Sequence, residues 1–298
     1  MKMCDIICNR YGGKGITDQM LSRIQNILID YGYKVNMNFT KGPKDATNII
    51  KNINKTDLVI SIGGDGTFGE VITGNIEREK SLLLAHLPNG TANDIGNIYG
   101  MNKSMTQNLK NILDGKVIEI DVPTINNKPF IYVCGFGKFL DIPYLTPQKL
   151  KKKLGHSAYF IYGAKDFFNK LKSYDVKCNI DGKIHKGKYT IFIISNSTSV
   201  AGFKNFYKHV DLNDGKVEVA MIYAKTRKEL LPTLVQLALG GADSVKNSIK
   251  YTAKKIEIEF NDDNDKKWDV DGEKLDLNTN KYVIEVKHKI NLLVPKNN

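Results

Sequence analysis

Long apolar runs are missing from this 298-residue chain. The longest, such as Ile191–Ile194 and Ser81–Leu87, fall far short of the roughly 20 residues that cross a bilayer as a helix. Cysteine is scarce. Cys4, Cys8, Cys134 and Cys178 form no CxxC pair and no Cys/His cluster with zinc spacing. That excludes a zinc-ribbon site and a disulfide framework, and it fits small buried side chains in a reducing compartment. The first eight residues lack an apolar stretch long enough for a secretory signal, and Asp5 interrupts what there is. The expected location is therefore cytoplasmic. No internal repeat or low-complexity tract is visible, which argues against a fibrous or solenoid chain.

What is present is an ordinary globular balance, with 41% apolar and 26% charged residues. The length favours two domains, and a chain of this size can bury a core without disulfides or metal. The formal net charge is +12, and it is unevenly placed. Residues 1–121 hold 14 basic and 13 acidic side chains, whereas 122–298 hold 30 and 19. The stretch 149–188 alone carries 11 Lys against 3 Asp. Such a one-sided field suits an anionic partner, whether nucleic acid, phosphate-bearing substrate or acidic membrane. Lysine-rich solvated surfaces are also common, so charge alone does not choose among them.

The first third alternates short apolar runs with amphipathic patterns. Asp5–Cys8, Val35–Thr40, Leu58–Ile62 and Leu82–Leu87 read as strands. Thr17–Asp30, Asp45–Ile53 and a segment starting near Thr67 read as helices. Buried strands alternating with helices predict an α/β domain with a doubly wound, mostly parallel sheet over 1–122. After Asp121 the pattern changes. Pro129–Cys134, Asp175–Ile180, Thr190–Ser195, Lys216–Ile222, Lys255–Phe260 and Tyr282–Val286 are strand candidates, most of them separated by turn residues such as Asp181–Gly182. They predict a mainly antiparallel β-sandwich over 123–287, with inserted helices near Pro147–Leu171 and Lys225–Leu239. The tail from about 288 to 298 is expected to return to the first domain.

Two loops carry the chemistry. Ile62–Gly63–Gly64–Asp65–Gly66–Thr67 follows a buried strand and opens a helix. Glycine lets phosphate oxygens approach the backbone, the helix start adds N–H donors, and Thr67 adds a hydroxyl. Asp65 beside phosphates asks for an intervening cation such as Mg2+. The second loop is Leu87–Pro88–Asn89–Gly90–Thr91–Ala92–Asn93–Asp94. It leaves the same type of strand end, where doubly wound sheets bind ligands. Helix capping explains Thr91, Asn93 or Asp94 singly. It explains less well why two glycine-bearing polar loops recur at one sheet edge.

These residues resemble a known family. Gly63–Thr67 looks like the GGDGT motif shared by diacylglycerol kinases, sphingosine kinases and NAD kinases. Pro88–Asp94 is similar to the PxGTxND segment of the diacylglycerol-kinase catalytic domain, which points away from NAD kinase. Asn9–Gly15 stands at the family's phosphate loop, Leu154–Tyr159 at its Leu-Gly-x-x-(Ala/Ser)-Tyr helix, and Asp269–Glu273 at its Asp-Gly-Glu turn. The likeness runs over nearly the whole chain. It implies a soluble bacterial lipid kinase that transfers the γ-phosphate of ATP, with Mg2+, to a lipid hydroxyl, with diacylglycerol the leading acceptor.

The resemblance also implies roles. Gly63, Gly64, Gly66 and Thr67 would hold ATP phosphates, and Asn9, Thr40, Gly90, Thr91 and Asn93 would complete the nucleotide site. Asp65, Asp94 and Asp121 would shape a magnesium and water network. Glu273 would be the general base. Asp214 would mark a second, structural magnesium site to which Asp211 and Lys216 add carbonyls. Read alone, Asp271–Gly272–Glu273 and Asp214–Gly215 are only turns. The chain departs from the family pattern at Arg10–Gly13, at Ile95–Asn97 and at Ser199–Phe203.

A kinase for a membrane lipid would meet acidic headgroups, and Lys149, Lys151, Lys152, Lys153, Lys165, Lys170 and Lys172 on the 147–172 segment suit that contact at about 1 kcal/mol each. The same residues would suit a solvated helix face. Peripheral association with the inner membrane face follows from the first reading. Bacterial members are often homodimers, though no segment marks an interface. NAD kinase is the competing enzyme, but its downstream Asn-Glu adenosine segment is not apparent. A sphingoid base or phosphatidylglycerol is the competing acceptor. Nucleic-acid binding has the charge but no recognition motif. A regulator without catalysis is disfavoured by intact Asp65 and Glu273.

Overall fold

The computed structural model describes residues 1–298 except 14, 91–92, 102, 141, 143–145, 147–162, 164–165, 199–205, 209, 262–266, 278 and 297–298, and also excepts the side chain of 238. The chain divides into two compact units, Met1–Ile120 with His288–Asn298, and Asp121–Lys287.

In the first unit, β1 (Lys2–Cys8), α1 (Asp18–Asp30), β2 (Tyr33–Phe39), α2 (Asp45–Asn52), β3 (Leu58–Gly63), α3 (Asp65–Ile76), β4 (Leu84–Pro88), α4 (Asp94–Ile98) and α5 (Met105–Leu113) follow in order. The strands run parallel in the order β2-β1-β3-β4, with Val59 opposite Leu84 and Cys8 opposite both Phe39 and Ile62. Strand β3 is buried throughout, Ser61 included, as expected of a mainly apolar central parallel strand. Helix α1 starts where Thr17 Oγ1 accepts the Met20 amide, and it buries Leu21, Ile24 and Leu28. Helices α2 and α3 pack at Gly74, where a Cβ would stand 2.4 Å from Ile50. Helix α3 starts at Asp65, two residues before the expected Thr67. Gly63 ends β3 and Gly64 is the N-cap, so Asp65, Gly66 and Thr67 form the first turn.

The second unit opens within β5 (Lys116–Ile125) and continues through β6 (Lys128–Pro129), β7 (Val133–Gly137), β8 (Tyr174–Ile180), β9 (Lys183–Tyr189), β10 (Ile191–Ser195), β11 (Val217–Ile222), α6 (Arg227–Gly240), β12 (Ser248–Ala253), β13 (Lys255–Phe260), β14 (Trp268–Val270), β15 (Glu273–Leu275) and β16 (Lys281–Val294). One antiparallel layer runs β12-β11-β10-β7-β14-β15. The other includes β9-β8-β13 and the first half of β16. They share one core, where Phe136 meets Trp268 at 4.9 Å, Phe260 at 4.8 Å and Phe192 at 5.1 Å between ring centres. The last part of β16 belongs to the first unit, where Leu292 pairs in parallel with Leu84.

The expected single strand Pro129–Cys134 is two. Proline has no amide to donate. The amides of Ile131, Tyr132 and Val133 turn instead to the Asp271 carboxylate, at 2.7, 3.1 and 3.1 Å. The four cysteines are buried and unbridged. Burial raises their thiols, Cys8 and Cys178 to about 11. Most of the expected helix at Pro147–Leu171 lies outside the described residues.

Candidate active site

The first unit gathers Asn9, Thr40, Gly63–Thr67, Gly90, Asn93 and Asp94 at the C-terminal ends of its parallel strands. Strand pairing alone aligns these ends, because Cys8, Phe39 and Ile62 share one register row and Gly63 pairs with Pro88. Asn9 leaves β1 with its amide on the Ile62 carbonyl at 2.9 Å, and its side chain donates to Thr67 Oγ1 at 3.2 Å. The Thr40 amide donates to the Cys8 carbonyl at 3.0 Å. Thr91 lies outside the described residues.

The two glycine loops touch. A Cβ on Gly90 would stand 2.6 Å from Gly64 Cα. Gly13, at φ +57°, lies so near Asn89 that a Cβ would sit 1.9 Å from its carbonyl oxygen. The Asn89 amide donates to the Gly63 carbonyl at 2.6 Å, and its side chain donates to the Gly15 carbonyl at 3.1 Å. Asn93 is left-handed, at φ 54°, and fastens the second loop by accepting the Gly90 amide at 2.6 Å. Three turns with bare backbone therefore meet at one sheet edge. Gly64 offers no capping side chain to the first turn of α3, and an uncapped helix start is where an anion is received.

Asp65 is turned across this edge. Its carboxylate accepts the amides of Asp94 and Ile95, both at 3.2 Å, and so holds the start of α4. Burial first, and then the Asp94 charge, push its carboxyl up to about 6, against those amide bonds, which lower it. Two nearby acids in a buried setting repel one another, and a divalent cation or a proton relieves that. No motif in the sequence marks Glu70. Its carboxylate accepts the amides of Lys44 at 2.7 Å and Ala46 at 3.2 Å, anchoring α2 where the chain leaves Thr40.

In the second unit Asp121 is buried and joins the 211–216 loop. Its Oδ2 accepts the Gly215 amide at 2.7 Å, its own amide donates to the Leu212 carbonyl at 2.7 Å, and Asn196 donates to its carbonyl at 2.9 Å. Asp211 accepts the Asn213 amide at 3.0 Å, and Asp214 accepts the Lys216 amide at 3.0 Å. Glu218 faces the same loop. Burial raises its carboxyl to about 7, with further upward pushes from Asp214 and Asp211. Its Oε2 has no hydrogen-bond partner among the described residues. Only its place in an apolar strand, two residues past Lys216, marked it in the sequence. Glu273 begins β15 with its side chain exposed, opposite Val270.

No three His, Cys, Asp or Glu side chains among the described residues form a ready metal cluster. Magnesium ordinarily keeps water and phosphate oxygens and takes only one or two carboxylates. Asp65 with Asp94, and Asp211 with Asp214, supply that number.

Comparison with known proteins follows the same lines. Residues 4–125 match the diacylglycerol kinase catalytic domain, and 148–286 match the YegS C-terminal NAD kinase beta sandwich-like domain. A diacylglycerol kinase of Staphylococcus epidermidis is 30% identical over 91% of this chain and 86% of its own length. One of Bacillus subtilis is 28% identical over 99% and 97%. A solved chain from Bacillus anthracis str. Sterne superposes with a TM-score of 0.83 at 24% identity, covering 98% of this chain and 95% of that one. With paired glycine loops on its parallel sheet and both domain matches in sequence order, the chain belongs to the diacylglycerol kinase family of lipid kinases.

Proposed function

We propose that this kinase transfers the γ-phosphoryl group of ATP to the free hydroxyl of diacylglycerol, giving phosphatidic acid for phospholipid synthesis, and that it needs Mg2+. The observation that carries the reading is the meeting of Gly64 and Gly90, which leaves backbone instead of side chain beside the start of α3. Backbone amides, the helix dipole and the Thr67 hydroxyl suit a polyphosphate. The relatives' names supply the acceptor.

In this reading Gly63, Gly64, Gly66, Thr67, Gly90 and Asn93 bind and orient the phosphates, while Asn9 holds the Thr67 hydroxyl in place. Asp65 and Asp94 hold magnesium, which when bound neutralises charge on the phosphate oxygens. Glu273 accepts the proton of the acceptor hydroxyl as that oxygen attacks. Asp211, Asp214 and the Lys216 carbonyl hold a second, structural ion, and Asp121 braces that loop. The enzyme would work at the inner face of the membrane, with Lys170 and Lys172, exposed in the structure, among its cationic contacts.

Radiolabelled ATP with diacylglycerol, ceramide, sphingoid base and phosphatidylglycerol in mixed micelles tests the reading. Labelled phosphatidic acid that disappears with a magnesium chelator is expected. Label on another lipid would reassign the acceptor, and label on none would overturn the reading. NADP formation from NAD would move the assignment to a nucleotide kinase.

A further inference from the structure

Helix α6 is apolar on two sides. Leu230, Thr233 and Leu237 are buried on one. Leu231, Val235 and Leu239 lie four residues apart on the other, and they are 55%, 49% and 86% exposed. A surface helix of a globular unit ordinarily turns a polar face outward, so this second stripe is unexplained by folding. Arg227 stands one further step of four back along the same stripe. It ties in a fourth exposed apolar side chain, because its guanidinium donates to the carbonyls of Phe168 at 2.6 Å and Asn169 at 3.3 Å, and Phe168 is 73% exposed.

The surroundings are cationic. Lys225 precedes the helix, Arg227 and Lys228 begin it, and exposed Lys170 and Lys172 follow Phe168. The one acid of the helix, Glu229, is folded back to the start, where it accepts the Lys225 amide at 2.9 Å while Thr226 Oγ1 accepts the Glu229 amide at 3.3 Å. The next acid, Asp243, lies beyond the helix and accepts the Lys208 amide at 3.0 Å. No carboxylate of the helix therefore stands on the exposed stripe.

We infer that α6 and Phe168 form a membrane-docking face, in which Leu231, Val235, Leu239 and Phe168 enter the interfacial region of an anionic bilayer while the lysines and Arg227 meet its headgroups. An apolar stripe beside a basic rim is the pattern of a helix that lies in the interface plane. Charge favours lipid over a second copy of the chain, because pairing this face with itself would set Lys and Arg against like charges. The inference rests on the reading that the acceptor is a membrane lipid.

The test is cosedimentation of the full chain with phosphatidylcholine vesicles that contain about a third phosphatidylglycerol, against pure phosphatidylcholine. Wild type should bind the anionic vesicles and release with salt. The Leu231→Ser/Val235→Ser/Leu239→Ser variant should bind about tenfold more weakly or worse, with wild-type melting and wild-type turnover of a short-chain diacylglycerol dispersed in water. A Leu239→Trp variant should shift its emission to the blue on anionic vesicles, while Trp268, which is fully buried, stays constant. Unchanged vesicle binding by the triple variant, or no emission shift from the Leu239→Trp variant, overturns the inference. A wild-type dimer that the triple variant converts to monomer overturns it too, in favour of a face between copies. None of these binding readouts needs ATP, so the docking face can fail while lipid phosphorylation holds, and the reverse.

Discussion

Gly64 and Gly90 stand back to back, so close that a Cβ on Gly90 would lie 2.6 Å from Gly64 Cα and 2.9 Å from Asn93 Oδ1. Neither neighbour can yield: one is backbone, and the other is the oxygen that accepts the Gly90 amide. Gly90→Ala should therefore cost about 1–3 kcal/mol by overpacking and should remove the extra melting temperature that added ATP gives. Gly42→Ala, where a Cβ meets nothing within 4 Å, should leave both unchanged. A Gly90→Ala protein that still gains stability from ATP would separate the loop junction from nucleotide binding.

Asp65 combines two functions that substitution can pull apart. As the acceptor for the Asp94 and Ile95 amides it holds α4, so Asp65→Ala should lose about 1–2 kcal/mol, as lost caps do. Asp65→Asn keeps one acceptor oxygen and removes the charge. It should melt within about 1 kcal/mol of wild type yet lose activity by about a hundredfold or more. Calorimetry with turnover measurements checks this. An Asn variant with full activity would leave Asp65 a structural cap only.

What the sequence made legible divides by the kind of signal. The alternation of Leu58–Ile62 and its fellow strands with amphipathic helices led to the parallel sheet, because buried strands and helix faces write period and polarity directly into the chain. The glycine motifs led to the loop junction for a similar reason, since each close approach forbids a side chain. Polar bonds that span the chain left no such mark. Asp271 reads as a turn residue, yet it serves amides about 140 residues away. Strand β9, Lys183–Tyr189, is missing from the strand candidates because an edge strand carries lysines. Glu70 is a single carboxylate whose amide partners become visible only in the fold, as do the acidic neighbours of Glu218.

His86 offers a pH test inside the first unit. It is buried in β4 and stacked on Phe68 at 4.6 Å. Burial lowers its imidazole to about 3, with the Ser61 backbone opposing. The unfolded chain, with an ordinary histidine near 6.5, takes a proton that the folded chain refuses. The neutral ring thus contributes full stability above about pH 6.5, and that contribution is lost as pH falls from there toward 3. At pH 5 the loss amounts to about 2 kcal/mol. His86→Phe keeps an aromatic ring over Phe68 and removes the titration. Its melting temperature should fall less than that of wild type between pH 7 and pH 5, and parallel declines would refute the assignment.

Asp271 and Glu273 share one hairpin turn and should fail differently. Asp271 is left-handed, at φ 51°, and its carboxylate carries three amides of the 131–133 segment. Asp271→Ala leaves those donors unmatched and should cost about 2–4 kcal/mol in urea unfolding, with activity falling as the turn shifts. Glu273 is exposed and contributes little to the core. Glu273→Gln should melt as wild type does and should lower kcat about a hundredfold to ten-thousandfold, the range of a lost general base. KM for ATP should stay near wild type, because the proposed phosphate contacts lie on Gly63–Thr67 and Gly90. A Glu273→Gln enzyme with full kcat would end its role as the base, and the stability of Asp271→Ala would still report the turn on its own.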